Sequence, residues 1–449
     1  MFKTFLDAFK VKDLRKKILY TLFALVIIRI GCQIAIPGVD PTLVSQMFEQ
    51  FAGADFISAF TGGAFENLSI FALNITPYIT SSIIMQLLTI AIPKLEELQK
   101  DGEDGRKKIA EITRYATVIL AIIQSVAMSI GFSQKGYIDS DWRIIAMMVV
   151  AMTAGSAFLM WMGENITEKG VGNGISIVLG INIISSLPND FQRLSEQFIT
   201  GASSKIGSVI GAIVIIAVVI FMVVYIIFLS EGERRIPVQY AKKVQGRKQI
   251  GGQSTYIPLK VNTAGVIPVI FTSSLLQLPV IISSLFGIMP ASGIDPTTGE
   301  HYGFWPMFLK LISSNAWFNF DSLSELKYTL GLLIYLALLI FFAYFYTSIT
   351  FNPLEVANNM KKAGGFVPGI RPGKPTQEYL TGVLNSIIFI GAIGLSIVAV
   401  IPFIFLGVFG AQVSFGGTSI IIIVGVVLET IKQIEAQMVV RHYKGFLSE

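Results

Sequence analysis

Charge is scarce in this chain. Asp, Glu, Lys and Arg make up 14% of its 449 residues, where soluble domains average about 25%. That excludes an ordinary soluble enzyme. Cysteine is scarcer still: Cys32 is the only one, so neither an internal disulfide nor a Cys-pair zinc spacing can exist. Two histidines, His301 and His442, leave metal-based and His-based catalysis almost without ligands. Enzyme patterns fail on inspection. Gly369-Ile370-Arg371-Pro372-Gly373-Lys374 is one residue short of a phosphate loop, and Pro375 stands where Ser or Thr is needed. Gly170-Val171-Gly172-Asn173-Gly174 has the wrong glycine spacing for a dinucleotide fold and reads as a flexible turn entering a helix. The sequence also lacks the Asp pair, the Gly-x-Ser-Gly nucleophile and the His-Glu-x-x-His helix of intramembrane proteolysis. No cofactor is expected.

What is abundant is apolar sequence, 53% of the chain, laid out in long blocks between short polar stretches. A spanning helix needs about 20 mostly apolar residues. Ten runs qualify: 18–36, 75–92, 115–132, 144–163, 175–187, 206–229, 264–288, 328–351, 383–408 and 415–434. The fifth is short. Pro268, Pro279 and Pro402 predict kinks or breaks in the seventh and ninth. The apolar run after Lys16-Lys17 lacks a small-residue cleavage site, so it is expected to remain as a span. Lys and Arg between the spans fall 26 on one side and 6 on the other, which puts both termini in the cytoplasm. The expected fold class is therefore an all-α polytopic membrane protein with ten transmembrane helices.

Several segments exceed what hydropathy explains. Residues 56–65 are too short to span and too apolar for a free loop; they suit either a helix at the outer interface or a short re-entrant helix between spans. The intramembrane ionisable groups are Arg29 and Glu429, both close enough to an interface to anchor or pair without a functional role. Ile75 and Ile79 share one helix face beside Thr76, Thr80, Ser81, Ser82 and Gln86, and packing alone would account for that. Two long basic loops, 230–262 and 352–378, read as docking surfaces for a cytoplasmic partner.

Five motifs in order carry a resemblance: Phe71-Ala72-Leu73-Asn74-Ile75-Thr76-Pro77-Tyr78-Ile79 running on to Gln86-Leu87-Leu88, then Gly172-Asn173-Gly174-Ile175-Ser176, the Arg-Arg-Ile stretch at Arg234, Phe366-Val367-Pro368-Gly369-Ile370-Arg371-Pro372-Gly373, and Phe415-Gly416-Gly417-Thr418-Ser419. Over nearly its whole length the chain resembles the SecY family, the channel-forming subunits of bacterial Sec protein translocases. Asn74 and Thr76 stand where the family pattern has Gly and Met.

The resemblance implies two inverted five-helix halves around a central pore, an arrangement familiar in transport folds. The halves would be residues 1–187 and 206–434, with a cytoplasmic tail at 435–449. It further implies a pore ring of Ile75, Ile79, Ile175, Leu179, Ile270 and Ile422, and a plug at 56–65 that includes Phe56, Ile57, Phe60, Gly62, Gly63 and Phe65. Spans two and seven would form a lateral gate, with Gln86, Thr117 and Asn262 as its polar contacts. Arg234, Arg235, Arg247 and Arg371 would meet the cytoplasmic driver. The implied partners are the SecA ATPase or a ribosome, SecE and SecG, the signal peptide and preprotein or nascent chain, and membrane lipid. The implied location is the cytoplasmic (inner) membrane. The chain would be a channel and not an enzyme, moving unfolded polypeptides across the membrane and releasing apolar segments sideways into it. A secondary solute transporter with inverted repeats is the alternative; it would need a polar midplane site, and the midplane here is aliphatic.

Overall fold

The computed structural model describes residues 9–37, 61–134, 141–196, 205–240, 243–245, 248–250, 254–285, 303–313, 317, 326–409 and 417–446. Within them the chain is chiefly helical. The helices are α1 Lys12–Gly31, α2 Thr76–Ala91, α3 Pro93–Lys100, α4 Glu103–Gln134, α5 Trp142–Lys169, α6 Gly174–Leu194 and α7 Lys205–Glu231. Later in the chain come α8 Ile267–Leu285, α9 Phe304–Ile312, α10 Leu330–Thr350, α11 Pro353–Lys362, α12 Lys374–Phe409 and α13 Gly417–Phe446. Each of the ten apolar runs overlaps one helix. Four stretches, Glu103–Ser133, Trp142–Lys169, Lys327–Lys362 and Lys374–Ile401, are long and apolar enough to cross a membrane singly. The α2–α3 pair makes a fifth if its 101° bend is counted within one span. Pro93 accounts for that bend: it supplies no N–H to α2 and pushes Ile92 out to φ −111° and ψ 113°.

Prolines elsewhere act by position. Pro268 falls in the first turn of α8, where its missing N–H costs nothing, so it starts a helix where a kink was expected. Pro279 lies inside α8, Pro402 inside α12 and Pro188 inside α6, and the sequence reading passed over the last of these.

The two long basic loops differ most from expectation, because they contain strands. β1 Glu233–Tyr240 pairs antiparallel with β4 Ser254–Lys260, setting Ile236 opposite Ile257 and Val238 opposite Thr255. A short hairpin of β2 Lys243–Gln245 and β3 Lys248–Ile250 lies between them. β5 Gly365–Phe366, from the second loop, joins the other edge of β1 and gives the order β4-β1-β5. Along β1 the inward residues Ile236 and Val238 are buried while their neighbours are exposed, the alternation of a sheet covered on one face. They pack with Leu259, with Ala357 and Met360 of α11, and with Leu380 and Ile387 of α12. The two loops thus form one unit on a stem of α12, which begins nine residues before the apolar run at 383.

Candidate functional site

α2 begins where it does for local reasons. Asn74 adopts left-handed backbone with φ 52°, a region that disfavours most side chains but suits Gly, and Asn next best. Pro77 then stands in the first turn of α2. This accounts for Asn at a position where the family pattern has Gly. Ile75 is the N-cap and Ile79 lies one turn further on.

α6 starts on a capped turn. The Asn173 side chain accepts from the N–H groups of Ile175 (3.1 Å) and Ser176 (3.3 Å). A Cβ on Gly174 would overlap the Gly163 carbonyl of α5, so only glycine permits this approach. The turn expected to be flexible is therefore packed and capped. Thr21 of α1 also holds it, its hydroxyl accepting from the Val171 N–H at 3.1 Å.

Ile75, Ile79, Leu179, Ile270 and Ile422 are buried in one continuous apolar cluster, and Ile175 packs against it. These side chains come from α2, α6, α8 and α13. At one point the meeting is directly measurable: a Cβ on Gly163 would lie 3.3 Å from Ile175 Cγ1 and 3.6 Å from Ile75 Cδ1. The cluster presents methyl and methylene groups with nothing to replace an ion's hydration shell. Among the described residues no group of three or more His, Cys, Asp and Glu could hold a metal ion.

Of the segment implied as plug, Phe56, Ile57 and Phe60 lie outside the described residues, while Gly62, Gly63 and Phe65 lie within them. From 61 onward the chain makes turns up to α2, with only Thr61 helical. Thr61, Ala64, Leu68, Ser69, Ala72 and Asn74 are all buried. Arg29 of α1 donates to the Gly62 carbonyl at 3.1 Å, and Ile36 N–H donates to Leu68 O at 3.0 Å. Phe71 stacks on Phe158 of α5 with centroids 5.8 Å apart. The segment is thus seated inside the bundle.

α8 packs against both α2 and α4, which makes the seam between the first and second halves of the chain. Gln86, Thr117 and Asn262 do not hydrogen-bond one another across it. Gln86 donates to Ser82 at 3.4 Å on its own helix, and Thr117, fully buried, donates to Thr113 O at 2.7 Å. Asn262 follows β4 beside Gly391 of α12. Residues the sequence reading missed lie on α8: Thr272 and Ser273 are buried, and their hydroxyls donate to Pro268 O (2.8 Å) and Val269 O one turn back. Such back-bonding leaves each hydroxyl satisfied by its own helix.

On the three-stranded sheet Arg234 and Arg235 are exposed. Arg235 bonds Glu233 at 2.6 Å and lies 4.8 Å over the Tyr256 ring; that hydrogen bond, with the neighbouring Tyr256, pushes its guanidinium above the ordinary value. Arg247 lies outside the described residues. Arg371 is exposed on a tip made by two left-handed glycines, Gly369 (φ 82°) and Gly373 (φ 107°), and its carbonyl is pinned by the buried Thr376 hydroxyl at 2.8 Å.

Known proteins share the fold of this chain. The SecY family model matches residues 69–431. The protein translocase subunit SecY of Streptomyces lividans is 45% identical over the whole of both chains, and that of Halalkalibacterium halodurans 42%. Among solved structures, one described as a protein-conducting channel superposes with a TM-score of 0.64 at 17% identity, covering 95% of this chain and 93% of its own. Sec61 in a canine ribosome-channel complex superposes at 0.61 and 16%, with 95% and 93% covered. The fold is thus that of these channels, and the full-length identity goes further: the chain belongs to the SecY family of protein translocase subunits.

Proposed function

We infer that the chain is a membrane channel through which unfolded polypeptides cross, and that six aliphatic side chains form its seal. The observation that carries this reading is the convergence of Ile75, Ile79, Ile175, Leu179, Ile270 and Ile422, from helices of both halves, in one apolar cluster with the 61–74 turns seated beside it. A ring of branched aliphatic groups dewets and excludes ions, yet its side chains can part around a sliding chain. Residues 1–187 and 206–434 act as the two halves, and the segment at 56–65 closes the outer side at rest. A solute transporter finds no support, since Arg29, Glu429 and Lys432 are the charged groups of the spans, each towards an end, and the centre is aliphatic.

The seam between α2 and α8 is the lateral exit. Its hydroxyls bond their own helices, so parting the helices breaks few bonds between them, and such bonds average only about 0.6 kcal/mol in membranes. An apolar client segment of about 18 residues gains on the order of 5 to 10 kcal/mol by leaving for lipid, ample to bias the opening.

The chain offers no energy-converting site, so a partner drives transport. The SecA ATPase or a ribosome docks on the sheet and the Arg371 tip, SecE clamps the halves, SecG lies alongside, and both termini face the cytoplasm of a bacterial inner membrane. The test is import of a preprotein into proteoliposomes holding the chain, a SecE-like subunit and SecA. ATP-dependent protection of the preprotein from external protease is expected; no protection with every component present overturns the reading.

A further inference from the structure

Two buried amides lie next to the seal. Asn74 precedes Ile75 and is 1% exposed; Asn182 follows Leu179 by three residues on α6 and is also 1% exposed. Asn182 Nδ2 donates to Asn74 Oδ1 at 3.1 Å, across 108 residues of sequence. Asn182 Oδ1 is buried with no partner among the described residues, so the Nδ2 bond is what offsets the desolvation of this side chain. Asn182 also reaches the other end of the turn segment. A Cβ on Gly62 would stand 2.9 Å from the Asn182 carbonyl and 2.8 Å from the Ser185 hydroxyl, which itself donates to that carbonyl at 2.7 Å. The Gly62 carbonyl meanwhile accepts from Arg29. One residue of α6 thus touches both ends of 61–74, by its main chain at Gly62 and by its side chain at Asn74.

We propose that Asn74 and Asn182 are positioning residues of the gate: their amide bond clasps the turns at 61–74 to α6 in the resting channel, and releases when a polypeptide enters. The clasp suits that role because it is a hydrogen bond between two buried side chains that joins segments far apart in the chain. Breaking it frees the Asn182 amide, whose donor and acceptor the C=O and N–H groups of an arriving polypeptide backbone can satisfy. The partly unsatisfied Asn182 keeps the closed arrangement from being too stable to leave.

This rests on the channel reading, and its test separates the two. Asn182→Leu removes the donor at similar volume. Asn74→Gly removes the acceptor at a position whose φ suits glycine, so this variant folds without strain. Hydrogen exchange of residues 61–74 in the reconstituted chain with its SecE-like subunit should quicken roughly threefold or more in each variant, the ratio set by the average strength of such a bond. Exchange in β1 and β4 should not change. The double variant should add little, because both single changes remove the same bond. Resting ion leak should rise while ATP-driven import persists, a split that mere loss of structure would not give. Unchanged exchange at 61–74 in both single variants, or effects that multiply in the double variant, overturns the clasp. Failure of import by the unaltered chain would instead strike the channel reading, with the exchange experiment still deciding the clasp.

Discussion

Ile79 of α2 and Ile270 of α8 are buried in the same apolar cluster. Replacing the two by Gly takes away side chains that would repel water at the proposed constriction. Single-channel recording of reconstituted resting channels should show raised ion conductance, and wild-type conductance would mean that the seal lies elsewhere. Arg371 is expected to act through charge and shape together, since lysine does not reproduce the planar fork of its guanidinium. Arg371→Glu should abolish SecA-driven import yet leave membrane insertion and resting tightness intact, and Arg371→Lys should weaken import. Near-normal import by Arg371→Glu would reduce the residue to one more cytoplasmic positive charge. Packing limits show most plainly at Gly155. A Cβ there would overlap the Ile70 carbonyl, and backbone cannot swing aside as a side chain can. Gly155→Val should cost about 1 to 3 kcal/mol or more by overpacking, measured as a lowered thermal midpoint of the detergent-solubilised protein. No sequence pattern singled out Gly155 or Asn182, because each matters through a neighbour far away in the chain.

At the scale of elements, the helices were legible and the strands were not. An apolar run of about 20 residues declares itself without its neighbours, because the bilayer forces its backbone groups to bond within the segment. β1 is eight residues, carries two arginines and a proline, and alternates only over Ile236 and Val238. Its partners lie in β4 and, beyond two further helices of the apolar series, in β5. Pairing at that separation leaves no local periodicity to read. The sheet nevertheless makes the two basic loops a single surface, so disturbing its covered face should affect both. Val238 is fully buried against α11 and α12, and Val238→Asp would bury a charge without a partner. Limited proteolysis should then cut residues 233–260 faster, with α4 and α5 unaffected, and SecA-driven import should fall. Equal cutting rates would show the sheet to be independent of its apolar underside.

For the whole molecule, the bias of 26 basic residues against 6 predicts that both termini face the cytoplasm. A cysteine in place of Gln245 should react with an impermeant thiol reagent only from the cytoplasm, and one in place of Glu300 only from outside. Reversed labelling would remove the topology and the docking surfaces built on it. Cys32 is buried, so its background reaction should be small. By itself the sequence determined that this is a polytopic helical membrane protein, and it supplied the charge bias and the aliphatic runs from which orientation and the seal are proposed. These are properties of composition and of runs within single segments, which lipid and membrane potential read one segment at a time. Its motifs also carried the family resemblance. Tertiary structure alone decided that Ile75, Ile175, Ile270 and Ile422 lie in or against one apolar cluster, that the Gly170–Gly174 turn is held between helices, that the proposed gate contacts Gln86, Thr117 and Asn262 do not hydrogen-bond one another, and that Asn182 reaches Asn74. Each of these depends on which helix faces which at what rotation. That is set by close packing of small residues and by single hydrogen bonds between segments, and neither leaves a mark on local hydropathy.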